Sequence, residues 1–299
     1  MRVPQRIAIT GASGLIGSAL VGHLKSEGHT VQRLVRRATV SSDEIQWDPK
    51  TGYVDIEALR GVDAVIHLAG VGVGDKRWSK KYKSEILNSR LLGTTAIANA
   101  VNEVKPQVFI SASAIGWYGD TADRQVDETS PAGSGFLADV VVAWEKASEP
   151  AKSAGVRVVN IRTGLVAAKQ GGAWSRLLPI FKLGAGGKLG SGKQYWSFIS
   201  MRDEIAAIKF VISNPKISGP VNLTAPTPAT NAEVTKAMSK VFNRPSLLPV
   251  PAFALKTILG EFSQEVLGSA RVIPRVLLDA GFVFQDPNIE SAMRTLATK

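Results

Sequence analysis

Gly11, Gly14 and Gly17 stand at three-residue spacing in Thr10-Gly11-Ala12-Ser13-Gly14-Leu15-Ile16-Gly17, directly after the apolar run Ile7-Ala8-Ile9. An apolar strand, a glycine loop and then a helix suit the pyrophosphate of a dinucleotide. Gly11 permits the tight turn, Gly14 lets the backbone approach the phosphates, and Gly17 lets the helix pack closely on the strand. The positive N-terminal end of that helix then faces the anion. Leu15, Ile16, Ala19, Leu20 and Leu24 form one apolar helical face, and Gly28 sits where the helix should stop. Ala12, Ser13, Leu15 and Ile16 complete the predicted cradle.

The end of the next strand decides which dinucleotide fits. Thr30 to Val35 reads as that strand, and Arg36-Arg37 follow it. NAD-binding chains usually place an Asp or Glu here for the ribose hydroxyls. A carboxylate would repel a 2′-phosphate, whereas a guanidinium pairs with it bidentately. Arg36 and Arg37 therefore predict NADP as the cofactor.

The elements that must position these residues alternate. Asp63 to Gly70 is a short buried strand ending in small residues, a helix runs from near Ser79 to Val104, and Gln107 to Ser111 is another strand. A helix from about Phe136 to Ala154 precedes the strand Val156 to Ile161. This alternation predicts an α/β fold, a Rossmann-type doubly wound parallel sheet with a smaller C-terminal substrate lobe. Ligands bind outside the carboxyl ends of such strands, so the segments after Leu68, Ile110 and Ile161 should converge on one cleft. Residues 1–165 form the expected NADP-binding domain, with 203–225 completing the sheet. Residues 166–202 and 226–299 form the expected smaller lobe.

Composition narrows the function classes. The 299 residues are 44% hydrophobic and contain no cysteine, so disulfides and thiolate chemistry are excluded. His23, His29 and His67 are too scattered for a metal site. No apolar run approaches the ~18 residues of a membrane span and no N-terminal signal is visible, so a soluble, cytoplasmic protein is the expectation. The net charge of +11 is spread evenly along the chain, which argues against nucleic acid. The densest cluster, Lys76, Arg77, Lys80, Lys81 and Lys83, follows a strand expected to end at the cofactor. Lys76 and Arg77 are therefore candidates for an anionic substrate, with Lys80, Lys81 and Lys83 equally readable as a solvated helix face.

The glycine loop, His67-Leu68-Ala69-Gly70, Ser111-Ala112-Ser113 and Tyr118-Gly119-Asp120 together resemble the extended short-chain dehydrogenase/reductase superfamily. A narrower branch is more similar still: the uncharacterised epimerase-family proteins, often labelled cell-division-inhibitor-like, with a C-terminal domain of unknown function. Its marks are Asp75-Lys76-Arg77-Trp78, Trp144-Glu145, Arg162-Thr163-Gly164, Gly190-Ser191-Gly192-Lys193-Gln194-Tyr195 and Arg271-Val272-Ile273-Pro274. The resemblance implies that Asp63 and Val65 border the adenine, that Asn88 orients the cofactor side of the cleft, and that Leu68, Ala69 and Gly70 line it. It also implies that Ser113 is the substrate-polarising serine.

One family feature is missing. Hydride transfer in the superfamily relies on a tyrosine with a lysine four residues later, the lysine lowering the phenol's pKa. Here Tyr53, Tyr82, Tyr118 and Tyr195 are followed at that spacing by Glu57, Ile86, Ala122 and Ile199. Three readings remain open. Ser113 works with a substitute acid, Tyr118 or Asp139, in redox or epimerase-like chemistry on a small anionic or sugar-like substrate. Or the chain is a non-catalytic NADP(H) sensor acting through a protein partner, with a homodimer also open. Or, on charge alone, it binds nucleic acid. Beyond residue 166, Gly184 to Trp196 reads as a mobile basic loop over the cleft. Lys188 and Lys193 are candidates for a substrate phosphate or carboxylate, and Tyr195 for stacking on a planar group.

Overall fold

Arg6–Thr10 (β1) is buried along almost its whole length and lies at the centre of an eight-stranded sheet. In the computed structural model, which describes residues 4–246 and 248–297, Thr30–Val35 (β2), Glu44–Asp48 (β3), Tyr53–Val54 (β4) and Ala64–His67 (β5) follow. Val108–Ala114 (β6), Arg157–Thr163 (β7) and Gly219–Leu223 (β8) complete the sheet. The spatial order is β8-β7-β6-β5-β1-β2-β3-β4, and every pair is parallel except β3 with β4. The chain turns outward in both directions from β1, so the crevice between β1 and β5 is the topological switch point where such sheets bind ligands. Residues 1–3, 247, 298 and 299, at the edges of the expected domains and within the C-terminal lobe, lie outside the described residues.

Helices cover both faces, as buried parallel strands require. Leu15–Ser26 (α1) packs with Ile205, Ile208 and Val211 against one face. Lys80–Val104 (α2) covers the other through Ile97 and Val101, beside Trp47 and Phe109. Ser79 caps α2 by accepting the Tyr82 amide, which explains its sharp start. The predicted helix 136–154 is two pieces, Phe136–Lys146 (α3) and Glu149–Ser153. Pro150 cannot continue a helical ladder and instead sits in the first turn of the second piece.

A second, smaller core lies beyond the sheet. Gly172–Lys182 (α4), Asn231–Phe242 (α6) and Ile289–Ala297 (α8) bury Trp174, Phe181, Met238, Met293 and Leu296 against Trp196 and Phe198. Met201–Ser213 (α5) returns to the main sheet, and Ala252–Leu259 (α7) buries Leu255 alone of its residues. Arg202 on α5 forks onto Asp286, and Asp203 accepts the amides of Gln285 and Asp286, so the C-terminal segment is tied to the sheet's own helix. Among the described residues no helix is long and apolar enough to cross a membrane.

Candidate functional site

The glycine loop and the end of β5 meet at the switch point. Gly11 has φ +64°, and a Cβ there would come within 2.8 Å of the Leu68 carbonyl carbon, so this position admits only glycine. A Cβ on Gly17 would overlap the Gly11 carbonyl oxygen, so the first turn of α1 rests directly on the loop. No side chain caps α1 and no acidic residue occupies its first turn. Its unpaired amides and positive dipole end are left facing the crevice. The Thr10 hydroxyl accepts the Leu68 and Ala69 amides and is 2.8 Å from Nδ1 of the fully buried His67. That bond stitches the ends of β1 and β5 together, and burial pushes His67 down to about 3, holding it neutral. Exposed Gly70 forms the lip of the crevice, above the buried Arg90. Arg90 donates to the Val71 and Ile86 carbonyls and stacks on Trp144.

At the neighbouring strand end the two arginines differ. Arg37 is forked onto Glu44 at 2.8 and 2.6 Å, so its charge is largely answered. Arg36 is exposed and makes no hydrogen bond or ion pair among the described residues. Asp48, outside every motif quoted above, ends β3 on the same edge of the sheet. A strand-terminal acid before the Pro49 turn was its signal.

Two expected adenine neighbours are corrected. Asp63 precedes β5 and accepts the Arg6 amide, level with the start of β1, at the opposite edge from the glycine loop. At ~3.3 Å per residue the length of β5 separates it from the crevice. Val65 is wholly buried inside the sheet between Ala8 and Phe109. Asn88 lies exposed on α2 and donates to Ser84.

Behind the crevice the end of β6 carries Ser113, which donates to Glu145 on α3 at 2.6 Å. Glu145 is gripped by Arg162 of β7 at 2.8 and 2.9 Å. Arg162 also donates to the Tyr118 hydroxyl at 3.1 Å and lies 3.9 Å over the Trp117 ring. Tyr118 donates in turn to Asn222 of β8, whose amide bonds Glu128. Glu145 and Arg162 sit on a helix and a strand, a juxtaposition that only the sheet order reveals.

This network corrects the candidate acids. Tyr118 is 1% exposed, its proton is committed to Asn222, and burial pushes it up to about 12. It is a structural phenol. Asp139 is exposed on the first turn of α3 and makes no bond to Ser113, because α3 turns Ala138, Val140 and Val141 inward instead. Phe136, at the start of α3, packs on Trp78 at 5.0 Å with Lys83 4.5 Å above its ring.

The substrate candidates scatter. Lys76 is paired with Glu85 at 3.8 Å, and exposed Arg77 rests against Gly260. One face of the Tyr195 ring is covered by Arg271 at 4.8 Å. The segment expected to be a mobile loop is pinned: Asn231 accepts the Leu189 amide, Gln194 donates to the Leu189 carbonyl, and Gly190 pairs with Val250. Lys193 stays exposed beside Ser191. Lys188 lines an outer groove along α6, away from the strand ends, and is corrected accordingly.

Below the end of β7, Glu204 is fully buried, accepts from Thr163 at 3.0 Å, and leaves Oε2 without a partner. Burial pushes it from the ordinary 4.5 up to about 8. The folded chain therefore holds a proton that the unfolded chain releases. Its stability contribution is complete below 4.5 and lost as pH rises through about 8. Urea midpoints at pH 5 and pH 8 should converge in Glu204→Gln relative to the parent; an unchanged gap would show that Glu204 does not carry this dependence.

Comparison with known proteins agrees with this architecture. The sequence profile described as "NAD dependent epimerase/dehydratase family" matches residues 7–223, and a domain of unknown function, DUF1731, matches residues 250–296. An epimerase family protein of Mycobacterium tuberculosis is 46% identical over 294 residues, covering 98% of each chain. The chloroplastic SDR39U1 homolog of Arabidopsis thaliana is 36% identical, covering 97% of this chain and 86% of that one. The crystal structure of human epimerase family protein SDR39U1 (isoform 2) with NADPH superposes with a TM-score of 0.89 at 29% identity, covering 98% and 99% of the two chains. The crevice built by Gly11, Gly17 and the end of β5 is thus that of an NAD(P)-binding Rossmann-like fold, and the chain belongs to the NAD-dependent epimerase/dehydratase family.

Proposed function

We propose that the chain binds NADP(H) and uses it in redox or epimerase-like chemistry on a small anionic or sugar-like substrate. The observation that carries the cofactor choice is Arg36: a guanidinium at the end of β2, exposed and unpaired, beside an Arg37 already neutralised by Glu44. The cradle fits the group, since the positions where a Cβ would block the approach are glycines and the helix end above them is uncapped. The human relative's structure with NADPH supports the same choice. In this reading Ala12, Ser13, Leu15 and Ile16 present backbone amides to the pyrophosphate, and Arg36 pairs with the 2′-phosphate.

A bound nicotinamide supplies hydride transfer. Ser113 is the chain's contribution at the strand end, and its proton points to Glu145. Its hydroxyl therefore offers lone pairs, which suits a substrate hydroxyl that donates better than a carbonyl that accepts. Arg162 holds Glu145 in place through two hydrogen bonds.

The second reading, an NADP(H) sensor without turnover, is favoured by Phe136. An apolar ring in an aromatic cluster stands at the start of α3, and no tyrosine in the chain has a lysine four residues on. Incubating NADP with a panel of sugar-like hydroxyl substrates, and following both cofactor absorbance and product stereochemistry, separates the readings: NADPH formation or an inverted carbon supports catalysis, and neither of these with tight cofactor binding supports the sensor.

Arg36→Glu tests the cofactor assignment. It should weaken NADP at least tenfold by calorimetric titration and change NAD far less, as expected for losing a charge-assisted pair worth about 1.5–3 kcal/mol. Equal losses for both cofactors would remove the 2′-phosphate role.

A further inference from the structure

We infer that the outer groove lined by α6, Lys188, Ser246 and Pro249 is a second binding site, for a small dianionic ligand of the phosphate-monoester class. Ala232, Thr235, Lys236 and Ser239 line one wall, at the i, i+3, i+4 and i+7 positions that share a helical face. Lys188, Ser246 and Pro249 form the other, around a volume of about 220 Å³. None of these residues lies at a carboxyl end of the central strands, so the groove is separate from the dinucleotide crevice.

Its lining is made of donors. Neither Lys188 nor Lys236 has an ion-pair partner among the described residues, and no Asp or Glu lines the groove. The acids on α6 and on α8, which packs against it, are already engaged: Glu233 closes the capping box with Thr230, and Glu290 pairs with Lys240 at 3.4 Å. Thr235 is only 6% exposed, and its hydroxyl makes no hydrogen bond among the described residues, which leaves it open to solvent at the groove wall. The Ser246 hydroxyl is likewise unpaired, while Ser239 donates to the Arg244 carbonyl. Two ammonium groups and two solvent-open hydroxyls match a ligand with two negative charges and several acceptor oxygens. The volume falls below the ~300–1,000 Å³ of pockets that hold drug-sized molecules, which selects a small ligand.

The test uses the full chain, saturated with NADPH to occupy the crevice, and inorganic phosphate as the probe at low salt. Amide resonances of Lys188, Ala232 to Ser239 and Ser246 should shift together and saturate. Lys188→Met with Lys236→Met, which keeps both side-chain stems at exposed positions, should weaken that saturation at least tenfold. Shifts confined to residues 11–17, no saturable shift, or an unchanged midpoint in the double variant would each overturn the site.

Discussion

Gly17→Ala is expected to weaken NADPH binding roughly ten- to a hundredfold. The added methyl has no free volume, since it would overlap the Gly11 carbonyl oxygen and crowd the Ala12 Cα at 2.9 Å. Backbone cannot step aside as a flexible side chain can, so α1 must lift off the loop. Overpacking of this kind costs about 1–3 kcal/mol, and here the strain falls on the amides that face the crevice. Gly22→Ala on the same helix is the control, because nothing lies within 4 Å of a Cβ there. That variant should bind NADPH like the parent and gain about 0.5–1 kcal/mol in urea unfolding, the usual advantage of alanine over glycine within a helix. Equal binding by both variants would show that close contact between α1 and the loop is not what shapes the crevice.

The largest expected loss of stability follows from Arg162→Met. Arg162 is 2% exposed and holds Glu145, Tyr118 and the Trp117 face at once. Its removal leaves the Glu145 carboxylate without its counter-ion and Tyr118 without a donor, a situation that costs about 3–5 kcal/mol. The penalty comes from the stranded charge more than from the lost attraction. Arg162→Met combined with Glu145→Gln should therefore recover a substantial part of the loss in denaturant unfolding, instead of adding to it. A single-variant cost below about 1 kcal/mol, or strict additivity of the two, would contradict a desolvated pair.

What could be read from the chain was whatever depended on near neighbours in sequence. The glycine spacing, the α1 face and the strand–helix alternation announce the fold because each is decided within one turn or one strand. Arg36 was legible because it follows its strand directly. Asp63 was misplaced for a different reason: the residue before a parallel strand lies at the sheet's opposite edge, and proximity in sequence to Leu68 concealed that. Tyr118 and Asp139 were weighed by type and position, whereas depth decides their roles, and depth depends on β8 and on the C-terminal segment returning from far along the chain. Lys188 was assigned to the crevice through a glycine-rich composition that suggested mobility. Its loop is instead fixed by Asn231 and Val250.

The pairing of Val126 with Val272 places residues from the middle and the end of the chain side by side in one short parallel ladder. Glu128, two residues on, accepts the amides of Arg275, Val276 and Asn222. During synthesis at ~5–20 residues per second, the middle of the chain must therefore wait many seconds for its partners to leave the ribosome. Until then Glu128 and Tyr118 have only part of their final surroundings, and the Rossmann half exists with an unfinished flank. Such long-range closure slows folding and lengthens the exposure of apolar surface to other chains. The nascent protein is thus most vulnerable to aggregation just before residues 271–276 emerge.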